Sequence, residues 1–340
     1  MIDPPVSPAR VVCVSLLLCL ILLFVFLLST CVGTIKIPVK IIAKAIFSND
    51  SNLEVPRTII LKLRMPRVIF AGIAGFILSL AGVVFQSILR NPLAEPFILG
   101  ISSGSALGAV IGIITGLSYD YGIPVIAFLG AITTVALVLI IGKKGIESDS
   151  SNMILAGVII NAFFTAIIMF IISFSYDERL HSILFWLYGD LSQTEYFQCI
   201  LTAPAAIITF VSIYLFSKHL NILTAGEVVA LQLGVEVKKI KWICLVITSI
   251  SVGLTVSFCG LIGFVGLIVP HLCRMIWGSD HRILIPTASI GGAIFLISAD
   301  TLARTVVSPN ELPVGVVTAA IGAPFFIHLL MLRGSGWKQF

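Results

Sequence analysis

The sequence predicts an all-α integral membrane protein with about ten transmembrane helices. Of its 340 residues, 58% are hydrophobic and only 11% are charged, and the mean hydropathy is +1.13. Soluble domains carry about 25% charged residues, so the composition excludes a chain of soluble domains. A formal net charge of +5 in such a chain favours basic loops beside anionic lipid over a nucleic-acid partner. We expect one transmembrane domain over residues 1–340, with membrane spans between residues 11 and 332.

Apolar runs long enough to cross a bilayer, roughly 20 residues each, recur along the chain. The first follows Arg10 as in a signal peptide, but it is longer than a usual signal core and no A-x-A pattern follows, so we interpret it as a span. The third and eighth runs are short, which favours broken or partial helices there. The predicted spans are 11–32, 66–86, 100–117, 122–142, 152–174, 197–216, 241–259, 261–277, 283–303 and 313–332.

Glycine recurs at every fourth position along the third predicted span. A spacing of four places such residues on one helix face, and a face without side chains lets a second helix approach closely. The pattern therefore predicts close helix packing. Its members are Gly100, Gly104, Gly108, Gly112 and Gly116.

The distribution of basic residues predicts that both termini face the cytoplasm. Lys143, Lys144 and Lys241 lie in or beside loops on that side, as the positive-inside rule expects. One basic stretch, Gly33–Arg67, falls on the outer side and breaks the rule.

The order of the spans also predicts an internal repeat. Spans two to five and spans seven to ten form two groups of four, and an odd number of crossings separates their starts. Such halves would be inverted repeats, a plan that many transporters use.

The polar stretch Ser217–Lys241 lies between two predicted spans and carries the signals of a short helix. Thr224 and Glu227 fit a capping box, and Gly234 fits a left-handed stop. A helix of about nine residues is too short to be stable alone in water. We therefore expect it to pack on the protein itself, on the headgroup zone, or on another chain.

No catalytic or metal-binding pattern is evident. His271 and His281 stand ten residues apart without further ligands, and the cysteines lie in apolar runs without a C-x-x-C pair. No phosphate-binding loop G-x-x-x-x-G-K-[ST] occurs, so we expect no cofactor and no ATP hydrolysis by this chain. Glu95, in the turn Arg90–Pro96, is interpreted as a solvated or loop-bonded carboxylate, with ion coupling as the alternative.

Several sequence blocks, taken together and in order, resemble one family over nearly the whole chain from Arg64 onward. The blocks are RMPR (Arg64–Arg67), AGVVFQSILRNPLAEPFILGISSGSALG (Ala81–Gly108), LTAGEVVALQLGV (Leu223–Val235), GLIGFVGLIVPHLCR (Gly260–Arg274), SADTLAR (Ser298–Arg304) and ELPVGVVTAAIGAPFFIHLL (Glu311–Leu330). The family that they resemble is the FecCD permeases of type II ABC importers, which move ferric siderophores, haem and cobalamin.

The resemblance implies a type II ABC importer permease fold and an assembly in a bacterial or archaeal plasma membrane. Two permeases, identical or homologous, would enclose a central pathway. Two ATPase subunits that hold ATP and Mg²⁺ would dock on the inner side. A periplasmic or lipoprotein binding protein would deliver the cargo on the outer side. Ferric siderophore is the expected cargo, and haem and cobalamin are the alternatives.

The resemblance also implies roles for particular residues. Segment 217–241 matches the loop that couples the permease to the ATPase, although Val228 and Leu231-Gln232 depart from the common pattern. Arginines on the outer side would pair with glutamates of the binding protein and steer its docking. The implied sets are Thr224, Gly226, Glu227, Ala230 and Gly234 for coupling; Arg64, Arg67 and Arg304 for docking; Asn91, Leu93, Ser150 and Ser151 for the cytoplasmic gate; and Asn161, Thr165 and Thr318 for the pathway wall.

A secondary transporter driven by protons or sodium is the competing class. It would need a carboxylate inside the membrane, and Asp300 is the main candidate. Arg304 lies one helical turn away and would neutralise it. An intramembrane enzyme is disfavoured because no convergent set of His, Asp and Cys residues is evident.

Overall fold

A computed structural model of the protein describes residues 7–33, 44, 53–142, 150–175 and 177–332. This part of the chain is helical and contains no strand. We number the helices in chain order: α1 (Pro8–Cys31), α2 (Glu54–Ile88), α3 (Ile101–Ile114), α4 (Gly122–Gly142), α5 (Ser150–Ile172), α6 (Asp177–Leu187), α7 (Tyr196–Leu215), α8 (Ser217–Ala225), α9 (Glu227–Gln232), α10 (Val237–Cys259), α11 (Val265–Trp277), α12 (His281–Thr305) and α13 (Val314–Leu332).

The all-α membrane fold is confirmed, and each predicted span corresponds to a helix. Within the described ranges, seven helices are long and apolar enough to cross a membrane, and α3, α11 and α13 are shorter apolar helices. The predicted shortness of the third and eighth spans is therefore confirmed. Helix α6 was not predicted, and α2 contains a π-helical segment, Ile59–Arg64, before its main apolar stretch. Residues 34–43 and 45–52 of the basic stretch Gly33–Arg67, together with Lys143 and Lys144, lie outside the described residues.

Helices α2 and α12 form an antiparallel pair at the centre of the bundle. A side chain added at Gly75 or Gly292 would collide with the backbone of the opposite helix, so the two backbones touch at this level. One turn further along, the Ser79 hydroxyl donates a hydrogen bond to the Ala288 carbonyl, 2.7 Å away. This register aligns the start of α2 with the end of α12.

The glycine face of α3 packs against α4, as predicted. A Cβ atom at Gly104 would collide with the Gly130 carbonyl, and one at Gly108 would collide with the Ile126 carbonyl. Gly100 and Gly116 have a different role, because they lie outside the helix with φ values of +76° and +75°. Their left-handed backbone is accessible to glycine at little cost, so they begin and end the short helix.

Two breaks in the fold agree with the predicted repeat. Helix α3 begins after left-handed Gly100, and helix α11 begins after left-handed Phe264, whose φ is +68°. In both cases a long helix precedes the break and two further apolar helices follow the short one. The series α2–α5 and the series α10–α13 thus have the same order of elements.

Helix α1 lies at the periphery, packed mainly along α12. Its other faces expose large apolar side chains, including Leu16, Leu20 and Phe24. An apolar surface of this kind is suited to lipid contact.

Candidate functional site

Polar side chains gather at the two ends of the α2–α12 pair. The 21 residues from Arg67 to Ser87 extend over about 30 Å of helix, which matches the thickness of a bilayer core. We call the cluster Arg64, Arg67, Asp300, Arg304 and Glu311 the arginine end. We call the opposite end, which contains Ser87, the turn Arg90–Glu95, α8, α9 and His281, the α9 end.

The arginine end is built around a buried network of two cations and two anions. The Arg67 Nε atom donates to Asp300 Oδ1 at 2.9 Å, and its Nη1 atom donates to Glu311 Oε2 at 2.6 Å. The Arg304 Nε atom lies 3.0 Å from Asp300 Oδ2. Asp300 is fully buried, so its charge is balanced by neighbouring guanidinium groups rather than by water.

The same arginines hold the end of α1. The Arg64 Nη1 atom donates to the carbonyls of Thr30 and Cys31, at 3.2 and 3.1 Å. The Arg304 Nη2 atom donates to Ser29 Oγ at 2.9 Å. These bonds tie a helix that is otherwise apolar to the central pair.

This geometry corrects one expectation about the docking arginines. The side chains of Arg64, Arg67 and Arg304 were expected to face an external partner, but they are only 5%, 7% and 3% exposed. They are buried because the chain supplies their acceptors, carboxylates for Arg67 and Arg304 and α1 carbonyls for Arg64. Their role in docking stays a prediction. The predicted neutralisation of Asp300 by Arg304 is confirmed.

The predicted capping box in segment 217–241 is wrong. Thr224 lies inside α8, where its hydroxyl donates to the Asn221 carbonyl at 2.8 Å. The chain then breaks at Gly226, whose φ of +128° disfavours a side chain, and α9 has six residues rather than nine. Glu227 forms an ion pair with Lys241 instead of reaching back to Thr224. The left-handed stop at Gly234 is confirmed, with φ of +77°.

Helix α9 presents an apolar surface to the outside of the molecule. Val228, Leu231 and Leu233 are 69%, 62% and 63% exposed, while Ala230 is buried against the bundle. Adjacent exposed apolar side chains on a polar segment are typical of a protein contact.

A hydrogen-bond relay connects α8 to α2 through the first residue of α12. Asn221 Oδ1 accepts from the His281 backbone amide at 2.8 Å and lies 2.6 Å from His281 Nδ1. His281 Nε2 in turn lies 2.5 Å from Ser87 Oγ on α2. No sequence pattern indicates this relay, because its members are far apart in the chain.

Asp280 binds the amide nitrogen of Asn221, whose oxygen faces His281. Its Oδ1 atom accepts from Asn221 Nδ2 at 2.9 Å, and its carboxylate also binds Arg282. Burial alone would raise the pKa of Asp280, but the hydrogen bonds from Arg282 and Asn221 outweigh it and lower the pKa to about 2. Asp280 is therefore ionised at neutral pH and keeps the Asn221 amide oriented toward His281.

The residues implied for the cytoplasmic gate are only partly brought together. Asn91 Oδ1 accepts from the Leu93 amide at 2.9 Å, which shapes the turn after α2, and the Leu93 side chain is 40% exposed. Ser150 begins α5, but the side chains of Ser150 and Ser151 lie outside the part of the structure that is described.

The residues implied for the pathway wall divide into two groups. Asn161 and Thr165 are exposed and lie one turn apart on the same face of α5. Thr318 is fully buried, and its hydroxyl donates to the Gly315 carbonyl at 3.0 Å. Its expected position on an exposed wall is therefore corrected, because the hydroxyl satisfies its own helix and the side chain packs inward.

Comparison with known proteins decides the family. The profile of the FecCD transport family matches residues 21–332. The chain belongs to the FecCD transport family. An ABC transporter permease protein of Bacillus subtilis, YvrB, is 37% identical, with 90% of each chain covered. The hemin transport system permease protein HmuU of Yersinia pestis is also 37% identical, with 83% of this chain and 86% of the relative covered.

A solved structure supports the same placement of this FecCD chain. It shows an inward-facing conformation of a metal-chelate type ABC transporter, with a TM-score of 0.83 and 32% identity. The match covers 94% of this chain and 98% of the other. The type II permease fold and the multi-pass membrane character of the chain thus rest on both sequence and structure.

Proposed function

We propose that this chain is the permease subunit of an ABC importer and forms half of the membrane pathway for a metal chelate. The observation that carries the proposal is the FecCD match, which extends over residues 21–332 and includes both ends of the α2–α12 pair. Relatives are named for transport of hemin, iron chelatin and cobalamin. Ferric siderophore is our first choice of cargo, with haem and cobalamin next.

The α9 end would face the cytoplasm and meet an ATPase subunit. Its exposed Val228, Leu231 and Leu233 supply an apolar contact, and Glu227 and Lys241 supply charge beside it. Two such ATPase subunits would carry ATP and Mg²⁺, and this chain would hold no cofactor. Thr224, Gly226, Ala230 and Gly234 would shape the contact through the backbone.

A second permease copy or a homologous permease would cover the exposed face of α5. Asn161 and Thr165 supply polar groups on one side of this helix, where exposed apolar side chains such as Val158 and Met169 surround them. A wall of this kind would bind cargo weakly and so allow its release. Asn91, Leu93, Ser150 and Ser151 would close the pathway toward the cytoplasm, and a binding protein would dock at the arginine end.

Uptake in cells tests the proposal and the cargo together. Cells lacking the gene, with and without a plasmid copy, would be given labelled ferric siderophores, haem and cobalamin. We expect restored uptake of one of these chelates, abolished when the associated ATPase is inactivated. Gradient-driven transport by the purified chain alone in liposomes would overturn the proposal and favour a secondary transporter.

A further inference from the structure

A cavity of about 520 Å³ lies inside the α9 end. It is enclosed by the end of α2, the turn Arg90–Pro92, the end of α8 and the residues that precede α12. Thr224 and Ser279 contribute hydroxyl groups to its lining, and Arg90 and Arg274 contribute positive charge. Its volume lies within the range of small-molecule sites.

Arg274 is the central feature of this cavity. Its Nη2 atom donates to Gln86 Oε1, and Gln86 Nε2 donates to the Gly266 carbonyl at 2.9 Å. Gln86 thereby holds the guanidinium group in place. The Arg274 Nη1 atom is buried and has no hydrogen-bond partner in the described part of the chain.

No carboxylate among the described residues pairs with either cavity arginine. The ion pairs at the α9 end use Lys239, Lys241 and Arg282 instead. Asp280 precedes His281 at the cavity rim, but its carboxylate is already bound by Arg282 and Asn221. The cavity therefore has two guanidinium groups without a neutralising anion from these residues.

An anion that is not one of the described residues would neutralise these two guanidinium groups. A buried guanidinium group without a counter-charge is destabilising unless an acceptor satisfies it. Guanidinium groups bind phosphate oxygens with particular strength, because planar donors match the spacing of those oxygens. The Ser279 hydroxyl can donate a further hydrogen bond to one of the remaining oxygens, whereas the Thr224 hydroxyl already donates to the Asn221 carbonyl.

We propose that this cavity is a binding site for a phosphate group, held by Arg274 and Arg90 with Thr224 and Ser279 beside them. The phosphate belongs to a soluble phosphate compound or to an anionic lipid headgroup. A bound phosphate would bridge α8, α2 and α11 and stabilise the α9 end. Asn91 of the proposed cytoplasmic gate also lines this cavity, so the site would adjoin the pathway, and its occupancy can be measured without cargo or ATPase.

Binding to the purified full chain tests the site. In nanodiscs of phosphatidylcholine, titration with inorganic phosphate should show saturable binding by calorimetry. Arg274→Gln should weaken it by roughly tenfold or more, since a hydrogen bond to a charged group contributes about 1.5–3 kcal/mol. Arg282→Gln is the matched control, because Arg282 is bound by Asp280 and does not line the cavity.

A second set of nanodiscs distinguishes the two sources of phosphate. If the group belongs to a lipid, native mass spectrometry should show phosphatidylglycerol retained by the unaltered chain and lost from Arg274→Gln. If it belongs to a soluble compound, phosphatidylglycerol should neither be retained nor reduce phosphate binding. Absence of both phosphate binding and lipid retention would overturn the proposal, as would equal binding by Arg274→Gln.

A third variant covers the case in which Arg274→Gln does not fold. Arg90 is exposed and lies in a turn, so Arg90→Gln should preserve the fold. We expect it to weaken phosphate binding several-fold without altering thermal unfolding in phosphate-free buffer. Unchanged binding in this variant would remove Arg90 from the site and contradict the proposal as stated.

Discussion

Arg67 and Asp300 form a buried ion pair that joins α2 to α12, with 2.9 Å between Nη2 and Oδ1. Glu311 binds the same arginine and Arg304 binds the same aspartate, so the four charges balance. Because Arg304 also holds Ser29, the pair is continuous with the attachment of α1. The arginine end therefore has a structural role whether or not it also docks a partner.

Removing Asp300 should strongly destabilise the protein. In Asp300→Ala, Arg304 loses its carboxylate and Arg67 keeps only Glu311, which leaves a positive charge buried without compensation. Breaking a buried pair in this way costs about 3–5 kcal/mol. Unfolding in detergent, followed by circular dichroism against denaturant, measures the change.

The matched control for this prediction is Glu236→Ala. Glu236 pairs with Lys239 on the surface, where the two side chains are 71% and 65% exposed. Exposed pairs contribute about 0–1 kcal/mol, so this variant should be close to the unaltered protein. Similar losses in the two variants would contradict the structural role of the Asp300 network.

The order of the helices was predictable from sequence because hydropathy and glycine spacing are local signals. Gly104 and Gly108 indicated close packing before any partner helix was known, and α4 is that partner. The short apolar run of the third span predicted the short helix that the structure has there. A membrane imposes apolar runs of fixed length, so the existence of each span depends on few long-range contacts.

At the two ends, the Asp300–Arg304 pair was predictable because it lies within one turn of one helix, but the contacts between helices were not, because they depend on helix register. Arg67 and Asp300 are 233 residues apart, and their contact requires the antiparallel alignment of α2 with α12. The capping motif at Thr224 and Glu227 predicted a helix start that does not form. Helix α8 instead extends through Thr224, and Glu227 forms an ion pair with Lys241. Long-range packing decided between two locally acceptable arrangements.

The relay from Asn221 to Ser87 should transmit motion from α8 to α2. In Asn221→Leu, His281 Nδ1 and Asp280 lose their shared partner while the branched side chain keeps the same number of non-hydrogen atoms. We expect uptake per ATP hydrolysed to fall several-fold in proteoliposomes that contain the complete importer, with basal ATP hydrolysis retained. This ratio distinguishes coupling from simple loss of protein.

Lys218→Ala is the control for the relay, because Lys218 lies on the same helix and is exposed. It should leave the ratio of uptake to hydrolysis unchanged. Ser87→Ala, which removes the far end of the relay, should reproduce the effect of Asn221→Leu. A normal ratio in both relay variants would show that α8 and α2 are coupled by another route.

Charge reversal at Glu227 should impair the contact between α9 and the ATPase. Glu227→Arg places a second cation beside Lys241 at the base of the exposed apolar surface. We expect less ATPase to co-purify with the permease and uptake to fall, while membrane insertion stays normal. Glu236→Arg is the control, since it makes the same charge change at a nearby exposed position; equal losses in both variants would indicate a general charge effect.

Substitution at Gly104 should separate α3 from α4. An added methyl group would collide with the Gly130 carbonyl, which is backbone and cannot rotate away. Overpacking of this kind costs about 1–3 kcal/mol, so Gly104→Ala should lower the melting temperature in detergent. The control is Gly263→Ala, which should leave the melting temperature unchanged because the added Cβ meets nothing within 4 Å. A similar decrease in this variant would show that loss of glycine itself, and not the collision, lowers the melting temperature.

Glu95 should make the stability of the protein depend on pH near neutrality. Burial raises the pKa of Glu95 from 4.5 to about 7, although a hydrogen bond from the Phe264 amide favours the charged form. Between pH 4.5 and 7 the folded state therefore binds more protons at this site than the unfolded state, so stability decreases as pH rises through that window.

Glu95→Gln should remove this part of the pH dependence, measured as the difference in unfolding free energy between pH 5 and pH 8. The exposed residue Glu54 supplies the control, because Glu54→Gln should keep the full difference; an unaltered difference in Glu95→Gln would show that Glu95 stays ionised across the range.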